Sequence, residues 1–185
     1  MKTRLLQVMV CSVLSAFTLA VVVLALKGPK VTAATASDHV PAAHKLTPPA
    51  DGKPIPVAFV LTDGATVIDF SGPWEVFQDA GGPDGVDHFR LFTVGASKNP
   101  IHTSGGMTIT PDYSFEDAPP SLIVVIPAQR GDPKLADWLR IRDKDADVVM
   151  SVCTGAFQLG KAGLLDGKPA TTHHDFYNQF EKTFP

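Results

Sequence analysis

Val148-Val149-Met150-Ser151-Val152-Cys153-Thr154-Gly155-Ala156-Phe157 reads as a strand that stops at a cysteine and turns at once into a helix. The run before Cys153 is mostly β-branched, as a buried strand requires. The residues after it are small, as a sharp turn with close helix approach requires. A thiol there sits beyond the carboxyl end of a strand and at a helix N-terminus. The helix dipole and nearby N–H groups favour the thiolate, the reactive form of cysteine. The arrangement is the cysteine counterpart of a nucleophile elbow. Taken alone, a cysteine ending an apolar strand reads more readily as buried filler; its position and small neighbours favour the elbow.

The surroundings of that stretch repeat its alternation. Val57-Ala58-Phe59-Val60-Leu61, Phe89 to Val94 and Leu122 to Ile126 are further apolar runs of strand length. Gly72-Pro73-Trp74-Glu75 predicts a helix with Pro73 at its first position, closing near Gly81-Gly82. Ile101 to Thr110, with Ser104-Gly105-Gly106 at its centre, predicts a hairpin excursion. Asp132-Pro133 predicts the start of a helix running to about Lys144. The helix after Cys153 closes at Gly163 or Gly167; Pro169 to Thr172 reads as a short strand and His174 to Phe184 as a last helix. Continuous apolar strands alternating with helices predict an α/β fold, a parallel sheet covered on both faces. Ligands in such sheets bind beyond the carboxyl ends of the strands. Three strand ends carry chemistry: Asp63 to Asp69, Pro127-Ala128-Gln129-Arg130-Gly131, and Cys153. They converge on one crevice if the strands are neighbours.

The chain has 185 residues and a formal net charge of −3. Four of its 16 basic residues, Lys2, Arg4, Lys27 and Lys30, lie in the first thirty positions, where there is no acid. The remainder carries 12 basic against 19 acidic side chains. An acidic domain with no basic stripe predicts no nucleic-acid partner. Leu5 to Leu26 is nearly all apolar, long enough to span a bilayer. Positions 1–36 therefore read as a signal peptide or an N-terminal transmembrane anchor. Ala34-Thr35-Ala36 offers a cleavage site, while the length of the run favours an anchor. Either way the domain is expected to be membrane-anchored or exported, on the extracytoplasmic side. Cys11 follows Val10, too large a residue for a lipoprotein processing site. Positions 37–54, rich in Ala, Thr and Pro, read as a flexible linker, and positions 55–185 as the folded domain.

Two ordered sets of residues resemble a known group. Gly64-Ala65-Thr66-Val67-Ile68-Asp69-Phe70-Ser71-Gly72-Pro73 resembles the acidic loop of the ThiJ/PfpI superfamily, the class I glutamine amidotransferase-like proteins. Cys153-Thr154-Gly155-Ala156, Ala162-Gly163-Leu164-Leu165-Asp166-Gly167 and Ala170-Thr171-Thr172-His173 resemble its cysteine elbow and the segment beyond. The isonitrile hydratases and the amino-terminal domains of some AraC-type regulators look nearest. The resemblance implies a flavodoxin-like sandwich, a small-molecule substrate and a homodimer. It also implies isonitrile hydration, glyoxalase or deglycase chemistry, or amidase-like hydrolysis, with no cofactor.

Carried over residue by residue, the resemblance makes Cys153 the nucleophile and Asp69 its acidic partner. A protonated carboxyl beside a thiolate donates a hydrogen bond to it and can pass its proton to the substrate. Without the resemblance, Asp69 reads as a cap of the following helix. Thr154 would offer its backbone N–H to a developing negative charge; its plainer role is the first residue of the helix. His173, twenty positions after Cys153, would act as base or orient a water. His174 and Asp175 stand beside it, but adjacent ligands are weak evidence for a metal, and none is expected. Ala128 and Gln129 stand where relatives usually have Gly-Gly, in a substrate pocket that also includes Gly64; they are expected to distort the oxyanion site or narrow the pocket. Relatives also continue past the position of Pro185 through another strand and a closing helix, so the C-terminal part of the fold is expected to be missing. The sheet edge thereby exposed favours pairing with a second chain. The rival to an enzyme is a ligand-binding or redox-sensing module of the same fold, or the sensor part of a regulator.

Overall fold

The computed structural model describes residues 46–80 and 87–185. Among the described residues seven strands and four α-helices follow in chain order: β1 Ile55–Val60, α1 Val67–Asp79, β2 Phe89–Gly95, β3 Ile101–His102, β4 Thr108–Ile109, β5 Tyr113–Ser114, β6 Ile123–Ile126, α2 Leu135–Arg142, β7 Val148–Ser151, α3 Ala156–Lys161 and α4 Tyr177–Thr183. Single 3-10 turns, Cys153–Gly155 and His174–Phe176, precede α3 and α4.

Five strands form one parallel sheet in the order β5-β2-β1-β6-β7. Leaving aside the two-residue edge strand β5, this is the flavodoxin-like order 2-1-3-4. The chain moves outward from β1 to β2, then crosses back to β6 on the other side of β1. The crevice at that reversal lies between the carboxyl ends of β1 and β6. Their residues are buried almost throughout, which is why both read as unbroken apolar runs. Alternation within β1 divides the core: Ala58 and Val60 face Trp138, Leu139 and Leu159, whereas Val57, Phe59 and Leu61 face the side of α1. There the Phe59 ring lies 5.0 Å from Trp74 and 6.2 Å from Phe77. The predicted excursion is the antiparallel pair β3–β4, with Ile101 opposite Ile109.

Two local expectations are corrected, and one short strand is added. Helix α1 begins at Val67, six residues before Pro73, which lies inside it. Pro73 gives up one intrahelical hydrogen bond. Burial of Phe70 and packing of Val67, Trp74 and Phe77 on the core outweigh that loss. The segment from Pro169 to Thr172 is not a strand, and the hydroxyl of Thr172 takes up another task, described below. Strand β5 went unread because two residues are too few to show a period.

The last part of the expected linker is tied down: Leu46 packs against the core and the N–H of Thr47 donates to Asp147 Oδ2 at 3.2 Å. The apolar run from Leu5 to Leu26 and the closing glycines Gly81-Gly82 lie outside the described residues. Among the described residues no helix is long and apolar enough to cross a membrane. The longest, α1, has 13 residues where a span needs about 20. The expectation of a membrane-anchored or exported domain is corrected to that extent: no described helix is a membrane span, and neither the membrane partner nor the extracytoplasmic placement is retained.

Candidate active site

Cys153 has φ +55°, the one positive φ of a residue other than glycine among the described residues. An L-residue held there carries about 1–3 kcal/mol of backbone strain. The turn is enforced from both sides. Gly155 presses so closely on the end of β6 that a Cβ would fall 2.1 Å from the Ile126 carbonyl oxygen and 2.9 Å from that of Pro127. From the far side the Thr172 hydroxyl donates to the Cys153 carbonyl at 3.2 Å. Cys153 is half-buried, and among the described residues its Sγ has no hydrogen-bond partner.

Asp69 lies in the first turn of α1 and is buried, 7% exposed. Its Oδ2 accepts the N–H of Ala128 at 3.1 Å, and the Ala128 carbonyl accepts the N–H of Thr66 at 2.8 Å. The acid therefore does not cap its own helix; it joins the loop after β1 to the loop after β6. No hydrogen bond links it to Cys153 among the described residues, and its second oxygen, Oδ1, is unengaged there.

Gln129 does not simply plug the pocket. Its Oε1 accepts the Thr62 N–H at 2.6 Å and the Thr62 hydroxyl at 3.0 Å, while its Nε2 donates to the Val60 carbonyl at 3.1 Å. The side-chain amide thus stands in for a peptide group beyond the end of β1. Gln158 Nε2 donates to the Gln129 carbonyl at 3.3 Å. The N–H of Gly64 donates to the His102 carbonyl at 2.7 Å and is unavailable to a ligand. The N–H of Thr154, in the first turn of the elbow helix, has no intrahelical acceptor.

His173 Nδ1 accepts the Asp175 N–H at 3.3 Å, and its ring lies 4.2 Å from that of His174. No hydrogen bond joins it to Cys153 among the described residues. His173, His174 and Asp175 hold ligand atoms within 4.8 Å of one another, the one such group of three among the described residues. All three are consecutive in one turn, and His174 and Asp175 are exposed.

A cleft of about 220 Å³ opens beside the elbow, lined by Gln129, Arg130, Thr154, Phe157, Gln158 and Lys161 among others. A larger one, about 730 Å³, runs between Leu165–Lys168 and α4 and contains no residue of the β1 or β6 loops. Cys153 and Asp69 are not among the lining residues of either cleft; Thr154, next to Cys153, lines the smaller one. Of the residues expected at the site, Thr154 and Gln129 belong to the smaller cleft. Sequence reasoning missed Thr172 and Gln158. Thr172 stood inside a quoted motif beside the more conspicuous His173. Gln158 is a polar residue buried with Ala156, Leu159 and Gly160 in a short helix whose sequence reads as apolar packing.

A model of the DJ-1/PfpI family matches residues 56–183. The chain belongs to that family. A protein of Streptomyces lividans, described as an uncharacterized protein in the cpoL 5' region, is 40% identical over 63% of this chain and 86% of its own length. The isonitrile hydratase of Pseudomonas putida is 33% identical over 66% of this chain and 54% of its own. The HTH-type transcriptional regulator GbdR of Pseudomonas aeruginosa is 27% identical over 75% of this chain and 39% of its own. The crystal structure of a ThiJ/PfpI family protein from Pseudomonas syringae superposes with a TM-score of 0.55 at 26% identity, covering 62% of this chain and 48% of that one. The DJ-1/PfpI chain described here thus spans about half the length of the isonitrile hydratase and less of the regulator. Relatives of this family include both an enzyme and a regulator, so the expected lack of a nucleic-acid partner is not retained.

Proposed function

We propose that this DJ-1/PfpI protein is a cysteine-dependent hydratase or hydrolase acting on a small electrophile, of isonitrile, aldehyde or amide type. The observation that carries the reading is Cys153 at φ +55°, held in a strained elbow beside the cleft. Strain of this kind collects at functional sites because filler has no need of it. The Sγ adds to the electrophilic carbon and forms a covalent adduct. Negative charge that develops on the substrate meets the Thr154 N–H. Asp69, through the unengaged Oδ1, gives a proton to the adduct and recovers one from the water that releases the product. With an isonitrile, the carbon gains one bond to sulfur and one to hydrogen; water then replaces sulfur, the thiol returns and the product is a formamide. This reading gives His173 the part of a base or of a residue that orients that water.

The test is turnover of an alkyl isonitrile and of methylglyoxal by the full chain, followed by NMR, with Cys153→Ser in parallel. Product from the wild type alone supports the enzyme. A second reading is favoured by the engagement of Asp69 Oδ2 with Ala128 and by the resemblance to GbdR: a sensing module whose Cys153 oxidises reversibly. Peroxide-dependent sulfenic acid at Cys153, with no product from either substrate, would replace the first reading with this one.

A further inference from the structure

Two cations frame the cleft beside the elbow, and among the described residues neither has an acidic partner. Arg130 and Lys161 line it together, and both also line an adjoining cleft of about 290 Å³. The place of Arg130 is built into the fold. Its side chain lies across the face of Gly64, where a Cβ would meet Arg130 Cγ at 3.0 Å and Nε at 3.3 Å. Gly64 has φ +77°, so the bare face that seats the arginine is also the one its turn requires. The Arg130 N–H is anchored to the Asp63 carbonyl at 3.1 Å. Lys161 is the last residue of α3, the helix that begins just after the elbow. The one carboxylate among the residues lining these two clefts is Asp132, in the adjoining cleft, and its Oδ1 accepts the Lys134 N–H at 2.8 Å. Phe157 and the Gln129 and Gln158 side chains complete a wall that brings no negative charge.

We infer that the substrate of this site carries a negatively charged group, a carboxylate close to its reacting carbon, held between Arg130 and Lys161. The inference rests on Cys153 as the nucleophile and adds what the cleft selects. A guanidinium matches a carboxylate with two parallel hydrogen bonds, and the ammonium adds charge without fixing direction. A neutral isonitrile or amide of the same size forgoes both.

Paired alkylating reagents test this on the full chain. Iodoacetate and iodoacetamide have nearly the same shape and differ by one charge. With each, the Cys153 thiolate forms an S–C bond as iodide leaves. Rates are read at the Cys153 peptide by mass spectrometry, so that Cys11 does not enter, and divided by those of a neutral cysteine amide in the same buffer. A cation about 5 Å from the reagent's charge raises its local concentration about fourfold even in water. The normalised preference for iodoacetate is therefore expected to be about fivefold or more at low salt, and to vanish in about 1 M NaCl. It should fall to about the value of the free thiol in the double variant Arg130→Gln, Lys161→Gln and persist in Arg130→Lys. A wild-type preference no greater than that of the free thiol, or one that survives the double variant, overturns the inference. If neither reagent labels the folded chain, the nucleophile reading falls, and binding decides the matter separately. Pyruvate that shifts the Thr154 and Gln158 amide resonances of Cys153→Ser to saturation, where pyruvamide does not, supports the anionic ligand; equal or absent shifts overturn it.

Discussion

A Cβ at Gly155 would lie 2.1 Å from the carbonyl oxygen of Ile126, so the cysteine elbow touches the neighbouring strand through a residue that can be only glycine. The obstacle is backbone, which cannot swing aside as a side chain can. Gly155→Ala is therefore expected to cost about 3 kcal/mol or more, at the upper end of overpacking penalties. Chemical denaturation with the Cys153 alkylation rate measured alongside checks this. A variant as stable as the wild type would mean that β6 and the elbow are not in contact.

Asp69→Asn and Asp69→Leu separate the two tasks of the acid. Asparagine keeps an oxygen for the Ala128 N–H, so stability should change by less than about 1 kcal/mol, while a proton-transfer role predicts a loss of about 10²–10⁴ in turnover. Leucine leaves that buried N–H unpaired and should cost about 1–3 kcal/mol as well. Thermal unfolding and turnover are read on both. Full activity in the asparagine variant would remove Asp69 from the chemistry.

Gln129→Leu removes the acceptor of the Thr62 N–H and the donor to the Val60 carbonyl at one stroke. Leaving these partners unsatisfied is expected to cost about 2–4 kcal/mol. Gln129→Gly gives up the same bonds but opens the pocket, so it should accept bulkier substrates at lower stability. Denaturation midpoints and a substrate-size series check the pair.

Asp117 supplies the pH dependence. The hydrogen bond from Lys98, with others from the Ser114 hydroxyl and N–H, holds its carboxyl down at about 2. A lowered value means stability that is present above the ordinary carboxylate value of about 4 and is lost as the pH falls toward about 2. The group is exposed, so the effect is small and screened by salt. The melting-temperature gap between wild type and Asp117→Asn should be open at pH 6 and nearly closed near pH 2.

The parallel sheet was legible because β1 and β6 are buried on both faces and so are written as unbroken apolar runs. The elbow was legible because a tight strand-to-helix turn demands small residues after Cys153. The start of α1 was not: the proline rule applies to an isolated helix, and core packing by Phe70 and Trp74 carries this one through Pro73. The partners of Asp69, Gln129 and Gly64 were illegible for a different reason. The side-chain hydrogen bonds of Asp69 and Gln129 and the bond from the Gly64 N–H each join residues between 38 and 69 positions apart, and no local pattern specifies them. Positions 128 and 129 were read as departures that would disturb a pocket. The structure shows the amide of Gln129 replacing a peptide group, a use that its residue type permits but its neighbours in the chain do not announce.

Because the Gln129 side chain clasps both Val60 and Thr62, the two walls of the crevice at the sheet reversal form a single rigid jaw. While Gln129 keeps that clasp, a ligand that needs more room gains it from the opposing jaw, the α3 side that carries Phe157 and Lys161. Selection for new substrates in this protein would therefore register first on α3 and in the segment after Thr172, with the β1 and β6 loops as the fixed anvil.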